Sequence, residues 1–292
     1  MSAGDISVAG VLYVVSSTLG NAQDLSPRAL QALGAADVIF AEDTRTTLRL
    51  LEAHGLHRSL RSCYDANEPA RADEAAALLR EGRSIALVSE AGTPTVSDPG
   101  FRLVRAAIDA GARVVPVPGP SAVLAALVGS GLPTDRFLFL GFPPRKPGPR
   151  RAHFASIRMV AATLVLYESP HRAGETLADL ALTLGADRPA CLARELTKEH
   201  EEFVRAPLGA LAERYRDQRP LGEVTLVVGG APELPASAEG DAELAQRASA
   251  LLAAGFRTKN VADILAAESG RRRKELYALV LAAGGAGDED GG

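Results

Sequence analysis

Residues 85–100 read I-A-L-V-S-E-A-G-T-P-T-V-S-D-P-G, and no other stretch constrains the fold of this chain as tightly. An apolar, β-branched run stops abruptly in small residues, prolines and glycines, and a helix-like pattern begins near Asp98. This predicts a buried strand that empties into a rigid, small-residue loop at a sheet edge. In open α/β sheets ligands sit at such carboxyl ends, because the loop backbone there can approach them closely. The loop is not Gly-x-Gly-x-x-Gly, so the usual dinucleotide reading does not apply.

Strand-like runs recur at Val11–Val15, Asp37–Ala41, Ser84–Val88, Arg113–Val117, Phe137–Leu140, Thr163–Tyr167, Pro189–Ala193 and Glu223–Val228. Helix-period segments separate most of them. Ser26-Pro27 supplies an N-cap followed by a proline at the first helical position, and Ala72–Arg80 stops at Gly82. The alternation predicts an α/β protein. A chain of 292 residues exceeds one compact core. The expected division is an N-terminal α/β domain at 1–120, a second α/β domain at 121–230, and a Gly/Pro/Ala linker at 231–240. A helical module at 241–283 and a disordered Gly/Asp tail at 284–292 complete it.

The composition, 47% hydrophobic and 23% charged, is that of an ordinary globular protein. A formal net charge of -4 gives no global attraction to nucleic acid, so such contacts would have to come from local patches. Cys63 and Cys191 are the two cysteines and read as reduced thiols. His54 and His57 have no third ligand nearby, which argues against a zinc site. No apolar stretch approaches the ~20 residues that cross a bilayer. The expectation is a cytoplasmic protein with no membrane partner.

Three strand exits in the first half share one character: Ser16-Ser17-Thr18-Leu19-Gly20-Asn21, Glu90–Pro94 and Pro118–Ser121. Each alone is an ordinary turn; together they suit a ligand clamp better. Ala41-Glu42-Asp43-Thr44-Arg45 is another polar strand end. In the second half, Tyr167-Glu168-Ser169-Pro170-His171-Arg172 and Arg194-Glu195-Leu196-Thr197-Lys198 place carboxylates, an imidazole and cations directly after strands. A helix cap with solvated charges accounts for either block equally well from residue types alone. Pro143–Arg151 is locally basic, and its prolines and glycine predict an extended loop from which Arg145, Lys146, Arg150 and Arg151 project toward phosphates. Arg271, Arg272, Arg273 and Lys274 open the last helical segment, where cations oppose the helix dipole and invite an anionic partner.

Taken together these stretches resemble the tetrapyrrole-methylase superfamily. The resemblance is carried by Leu12–Val15 with Gly20-Asn21, Ala41–Arg45, Ala91-Gly92-Thr93-Pro94 with Ser97-Asp98-Pro99-Gly100, and Pro118–Ala122. It continues through Ser130–Phe137, Gly141-Phe142 with Pro144-Arg145-Lys146, Tyr167–Arg172 and Ala193–Lys198. The Ser-Pro-His-Arg and Arg-Glu-Leu-Thr-Lys blocks are similar to its rRNA-modifying branch rather than to the corrin-methylating enzymes. The chain departs from the family pattern in the first loop, where Thr18 replaces a proline, at Glu90 in place of an aspartate, and at Tyr64-Asp65-Ala66-Asn67, where two histidines are replaced.

The resemblance implies two α/β domains with S-adenosyl-L-methionine between them, and 2′-O-ribose methylation of a cytidine in 16S rRNA of the small ribosomal subunit by a homodimer. It places Ser17, Thr18, Gly20, Glu90, Gly92, Thr93, Val96 and Ser121 at the cofactor. Methyl transfer to a hydroxyl is an in-line displacement helped by a base or by a cation at the developing alkoxide. Glu168, His171, Glu195 and Lys198 are the expected acceptor-side residues, and spacing does not tell which one takes the proton. Two competing readings are a methyltransferase acting on a tetrapyrrole and a non-catalytic RNA-binding assembly factor. The basic loop and C-terminal helices argue against the first.

Overall fold

A computed structural model describes residues 10–232 and 240–284. The expected tail from 285 onward and most of the expected linker lie outside the described residues. The chain divides into two compact units between Gly230 and Ala231.

The first unit begins with β1 (Val11–Val15), α1 (Pro27–Ala35), β2 (Val38–Ala41), α2 (Thr44–Ala53), β3 (Ser59–Ser62), α3 (Glu68–Arg80), β4 (Ile85–Val88), α4 (Phe101–Asp109) and β5 (Arg113–Val117). These strands form an all-parallel five-stranded sheet in the order β3-β2-β4-β1-β5. Every residue of β2 and β4 is buried, as a parallel sheet covered on both faces requires. Ser26 caps α1 as expected, its hydroxyl accepting from the Ala29 amide at 3.1 Å.

Two expectations in this half are corrected. The helix expected from Asp98 starts at Phe101, because Pro99 disfavours helical backbone at the residue before it. Its N-terminus is held instead by Glu68 of α3, whose buried carboxylate accepts from the amides of Gly100 (2.9 Å) and Arg102 (2.7 Å). The helix expected from Ala72 begins four residues earlier, at Glu68, with Pro69 in its first turn.

The chain continues through α5 (Ala122–Ser130), β6 (Phe137–Phe139), α6 (Pro147–Ser156), β7 (Thr163–Glu168), α7 (Ala173–Leu184), β8 (Pro189–Arg194), β9 (Glu202–Pro207), α8 (Leu208–Arg214) and β10 (Val224–Val228). This second sheet has the order β6-β7-β10-β8-β9. It is mixed: β6 and β7 are parallel, while β10 runs antiparallel to both its neighbours, pairing Val224 with Glu168 on one side and Arg194 on the other. α5 packs Val123, Ala126 and Leu127 against Val165, Cys191, Ala193 and Val227 of this sheet. The edge strands β3 and β9 have no counterpart among the strand-like runs of the sequence.

Among the described residues the second unit holds α9 (Asp241–Ala253), α10 (Thr258–Ser269) and α11 (Arg273–Ala283), with its own core of Leu244, Ala248, Val261, Ala262, Leu265, Leu276 and Val280. Among the described residues no helix is long and apolar enough to cross a membrane.

Candidate active site

Because β1, β2, β4 and β5 run parallel, their carboxyl ends emerge on one edge of the first sheet. The three small-residue exits meet there. The Ser17 amide donates to the Gly92 carbonyl at 2.7 Å, and the Gly92 amide donates to the Thr18 carbonyl at 3.3 Å. The Thr93 hydroxyl donates to the Pro120 carbonyl at 3.2 Å and lies 3.0 Å from that of Ser16. In the second sheet the ends of β6, β7 and β8 and the start of β10 share one edge, which gathers 141–142, 168–170, 195–198 and 222–225.

The two edges enclose a cavity of about 680 Å³, within the range of small-molecule sites. From the first half it is lined by Leu19, Glu42, Glu90, Ala91, Gly92, Thr93, Val96, Asp98 and Ala122. The second half contributes Phe142, Tyr167–Pro170, Glu195, Lys198 and Gly222–Thr225. Of the expected cofactor residues, Glu90, Gly92, Thr93 and Val96 line it directly. Ser17, Thr18, Gly20 and Ser121 are not among the lining residues, whereas their neighbours Leu19 and Ala122 are. Its ionisable groups are Glu42, Glu90, Asp98, Glu168, Glu195 and Glu223 against the single cation Lys198 and the phenol of Tyr167. Such a lining favours a cationic ligand and repels an anionic one.

Backbone strain marks the same two loops. Among the described residues the non-glycine positions with positive φ are Thr95 (73°), Ser97 (67°), Glu195 (49°) and Thr197 (66°). A left-handed β-branched residue is unfavourable by about 1–3 kcal/mol and persists only where its surroundings over-determine it, typically at functional sites. For the 195–198 loop those surroundings are visible. The Thr197 hydroxyl accepts from the Asn21 amide at 3.3 Å, its amide donates to Glu201 at 2.7 Å, and the Glu195 amide donates to the Glu223 carbonyl at 3.1 Å.

The expected acceptor-side residues separate into three cases. Lys198 donates from Nζ to Glu195 Oε1 at 3.0 Å and lies 3.3 Å from Glu223. Burial disfavours its ammonium, yet the hydrogen bonds and charges of Glu195 and Glu223 outweigh that and raise its pKa above the ordinary lysine value. Glu195 is held below the ordinary carboxylate value, first by the Lys198 hydrogen bond. The pair needs two glycines: a Cβ on Gly20 (φ 139°) would lie 2.6 Å from Lys198 Cγ, and one on Gly222 (φ 78°) would collide with Glu195 Oε1. Glu168 lines the cavity but its carboxylate is committed elsewhere, accepting from the Ser169 amide (2.7 Å) and the Thr176 hydroxyl (2.6 Å) and pairing with Arg172 (2.5 Å). His171 is not part of the lining; it is exposed, with Nδ1 3.3 Å from Arg219.

The basic segment also differs from its expected form. Pro147 starts α6 rather than prolonging an extended loop, since proline suits a first helical position. Arg150 does not project: it is buried at 1% exposure, pairs with Asp179 at 2.7 Å and reaches Glu175 at 3.3 Å. Arg151 pairs with the other Asp179 oxygen at 2.6 Å. Arg145 and Lys146 remain exposed, and Phe142, at 56% exposure, packs against Tyr167 at the cavity wall. In the helical unit Arg271 pairs with Asp241 and Arg273 with Asp263, while Arg272 and Lys274 make no ion pair among the described residues.

Sequence reasoning passed over Asp98 as a site residue, along with the wall formed by Phe142 and Gly222–Thr225. Of the segment read as a polar strand end, Asp43 caps α2 and pairs with Arg45 in its first turn, and hydrogen bonds from Arg45 hold the Asp43 carboxyl at about 2. Asn67 of the departing 64–67 segment closes a turn, accepting from the Tyr64 amide and donating to the Ser62 carbonyl.

Residues 11–212 match the family model of Tetrapyrrole (Corrin/Porphyrin) Methylases. The chain is 44% identical to the Ribosomal RNA small subunit methyltransferase I of Micromonospora olivasterospora over 94% of its own length and 88% of that protein. It is 42% identical to the protein of that name from Escherichia coli O157:H7, over 93% and 95%. Among solved structures it resembles a uroporphyrin-III C-methyltransferase from Thermus thermophilus complexed with S-adenyl homocysteine. There the TM-score is 0.52 and the identity 22%, across 75% of this chain and 97% of that one.

Proposed function

The chain belongs to the tetrapyrrole methylase family, and on that premise we propose that it is the S-adenosylmethionine-dependent enzyme that methylates the 2′-hydroxyl of a cytidine in the 16S rRNA of the small ribosomal subunit. The observation that carries the reading is the shared acidic cavity. Its size suits a nucleoside-sized cofactor, its carboxylates suit a sulfonium cation, and the Gly92–Val96 loop brings backbone close to one wall. When bound, S-adenosylmethionine supplies a methyl carbon activated by its positive sulfur.

The residues divide the remaining work. Lys198, kept cationic by Glu195 and Glu223, stabilises negative charge as it develops on the acceptor oxygen. Phe142 offers an aromatic face at the mouth for the acceptor base, and Arg145 and Lys146 meet flanking phosphates outside the carboxylate-lined interior. That separation of charge suits a polynucleotide, whose anionic groups stay outside while one nucleoside enters. A tetrapyrrole bearing several carboxylates would have to bring them into the acidic cavity. The reading includes a homodimer, supported by exposed Phe101 and Ile108 on α4 and Leu124 and Val128 on α5.

Mapping ribose methylation on small-subunit RNA from cells with and without the protein tests the assignment. Loss of one cytidine 2′-O-methyl mark without the protein is expected; an unchanged map sinks the proposal.

A further inference from the structure

We propose that His171 and Arg219 form a phosphate-binding pair at the rim of the cavity, which holds a phosphodiester of the acceptor RNA beside the nucleotide to be methylated. This deepens the rRNA methyltransferase reading and rests on it.

The turn that carries His171 is braced from within. Buried Glu168 accepts from the Ser169 amide and the Thr176 hydroxyl and pairs with Arg172. The Ser169 carbonyl accepts from the amides of Arg172 and Ala173, both at 3.1 Å, and Pro170 fixes the backbone between them. Glu168, Ser169 and Arg172 are thus engaged inside the block, and His171 is its exposed member.

Arg219 reaches that turn on the segment that follows α8. Gly174, in the first turn of α7, lets the segment close in, since a Cβ there would collide with the Tyr215 carbonyl. Buried Tyr215 and Pro220 anchor the segment at both ends. Arg219 Nη1 then lies 3.3 Å from His171 Nδ1. A guanidinium only donates, so Nδ1 accepts and the imidazole proton sits on Nε2. The exposed pair therefore offers the remaining guanidinium N–H groups and the Nε2–H to a ligand, with one positive charge between them. Nearby Arg214 and Arg216 are each paired with a carboxylate, Glu202 and Glu213. Arg219, which forms no ion pair among the described residues, has the His171 ring as its partner instead.

The position of the pair names the anion. Pro170, next to His171, and Gly222, shortly after Arg219, both line the cavity. The strand order β6-β7-β10 sets the segments of Arg145 and Lys146, of His171, and of Arg219 side by side along one sheet edge. The interior is lined with carboxylates, so an anion is accepted at this rim and refused inside. A single exposed cation holds a free anion weakly. It contributes when the anion is one of a chain of phosphates that also meets Arg145 and Lys146, because all the contacts then act on one ligand. An RNA phosphodiester is such a ligand, and its two unesterified oxygens are acceptors for the guanidinium and for the Nε2–H.

The test compares the full-length wild type with Arg219→Ala, His171→Ala and His171→Gln on small subunits lacking the mark. Subunit binding is read by filter retention against salt, methylation as kcat and KM, S-adenosylhomocysteine affinity by calorimetry, and folding by thermal melts. Arg219→Ala should bind subunits about tenfold more weakly, with KM raised and kcat kept. Its salt slope of log K should fall by about 0.7–0.9. His171→Ala should also raise KM but leave the slope alone, because a neutral imidazole displaces no counterion. His171→Gln, whose amide keeps a donor at that end, should recover most of the affinity. All three should bind S-adenosylhomocysteine and melt as the wild type does. An Arg219→Ala protein with wild-type affinity and slope overturns the proposal. So does a His171→Ala protein that loses kcat rather than KM, which would make His171 a catalytic residue, and so does weak binding that tracks a lowered melting temperature. A wild type that binds small subunits but leaves them unmethylated overturns the methyltransferase reading instead, while the slope of Arg219→Ala still decides the phosphate contact.

Discussion

Asp98, on the cavity wall, leaves a mark on stability. Burial first, and the nearby carboxylates of Glu42, Glu90 and Asp65 second, push its carboxyl up to about 7 when folded, against its ordinary 3.8 when unfolded. Between those values the native state holds more protons than the unfolded one, so this group's contribution to stability falls as pH rises through the window. Asp98→Asn removes the loss. Its melting temperature should exceed that of the wild type at pH 8 and converge with it toward pH 4, as read by calorimetric scans; equal melting at pH 8 would contradict the raised pKa. The sequence hid this residue because Asp before Pro reads as a helix start. Gly92, Val96, Glu195 and Lys198, which the sequence singles out because small residues and charges follow strands directly there, line the cavity. Which charges are free and which are neutralised is a tertiary fact. Arg150 looks like a projecting cation until Asp179 arrives beside it from α7.

At the level of elements, the basic segment splits into two roles at the start of α6. Arg145 and Lys146, before the helix, are exposed. Arg150, inside it, joins α6 to α7 through an ion pair whose side chains are 2% and 4% exposed. Replacing Arg145 and Lys146 together by Ala should weaken subunit binding and lower the salt slope of log K by about one for each phosphate no longer neutralised, with unchanged melting. Arg150→Ala should leave that slope alone and destabilise the fold by about 3 kcal/mol, because Asp179 keeps only the half-exposed Arg151. Filter binding against salt and thermal melts separate the two. Two of the four edge strands, β3 and β9, are not revealed by the sequence, whereas β5 and β6 fall on its strand-like runs. β3 reads S-L-R-S and β9 reads E-F-V-R-A-P, and neither contains a fully buried residue. Neither has the apolar run that made the buried strands legible, and their pairing partners are fixed only when the sheets assemble.

Across the whole molecule, the helices beyond residue 240 have a core of their own and share none with the cavity. A chain ending at Gly230 should therefore bind S-adenosylhomocysteine as the full protein does. It should methylate small subunits with a raised KM, if Arg272 and Lys274 serve the RNA. An unchanged KM would remove the helical unit from recognition. The α/β class was legible because both halves alternate strands and helices. The mixed order of the second sheet was not, since it depends on where β10 inserts. That insertion has a consequence for synthesis. β10 is the last strand of its unit, yet it sits at the centre of its sheet, separating β7 from β8. A nascent chain thus has the pairs β6-β7 and β8-β9 complete before the strand that joins them. The segment that reaches the cavity, Gly222–Thr225, is almost the last of the unit to emerge. The half-sheet waits for its middle strand, and the enzyme gains the second wall of its cavity only in the final moments of making that unit.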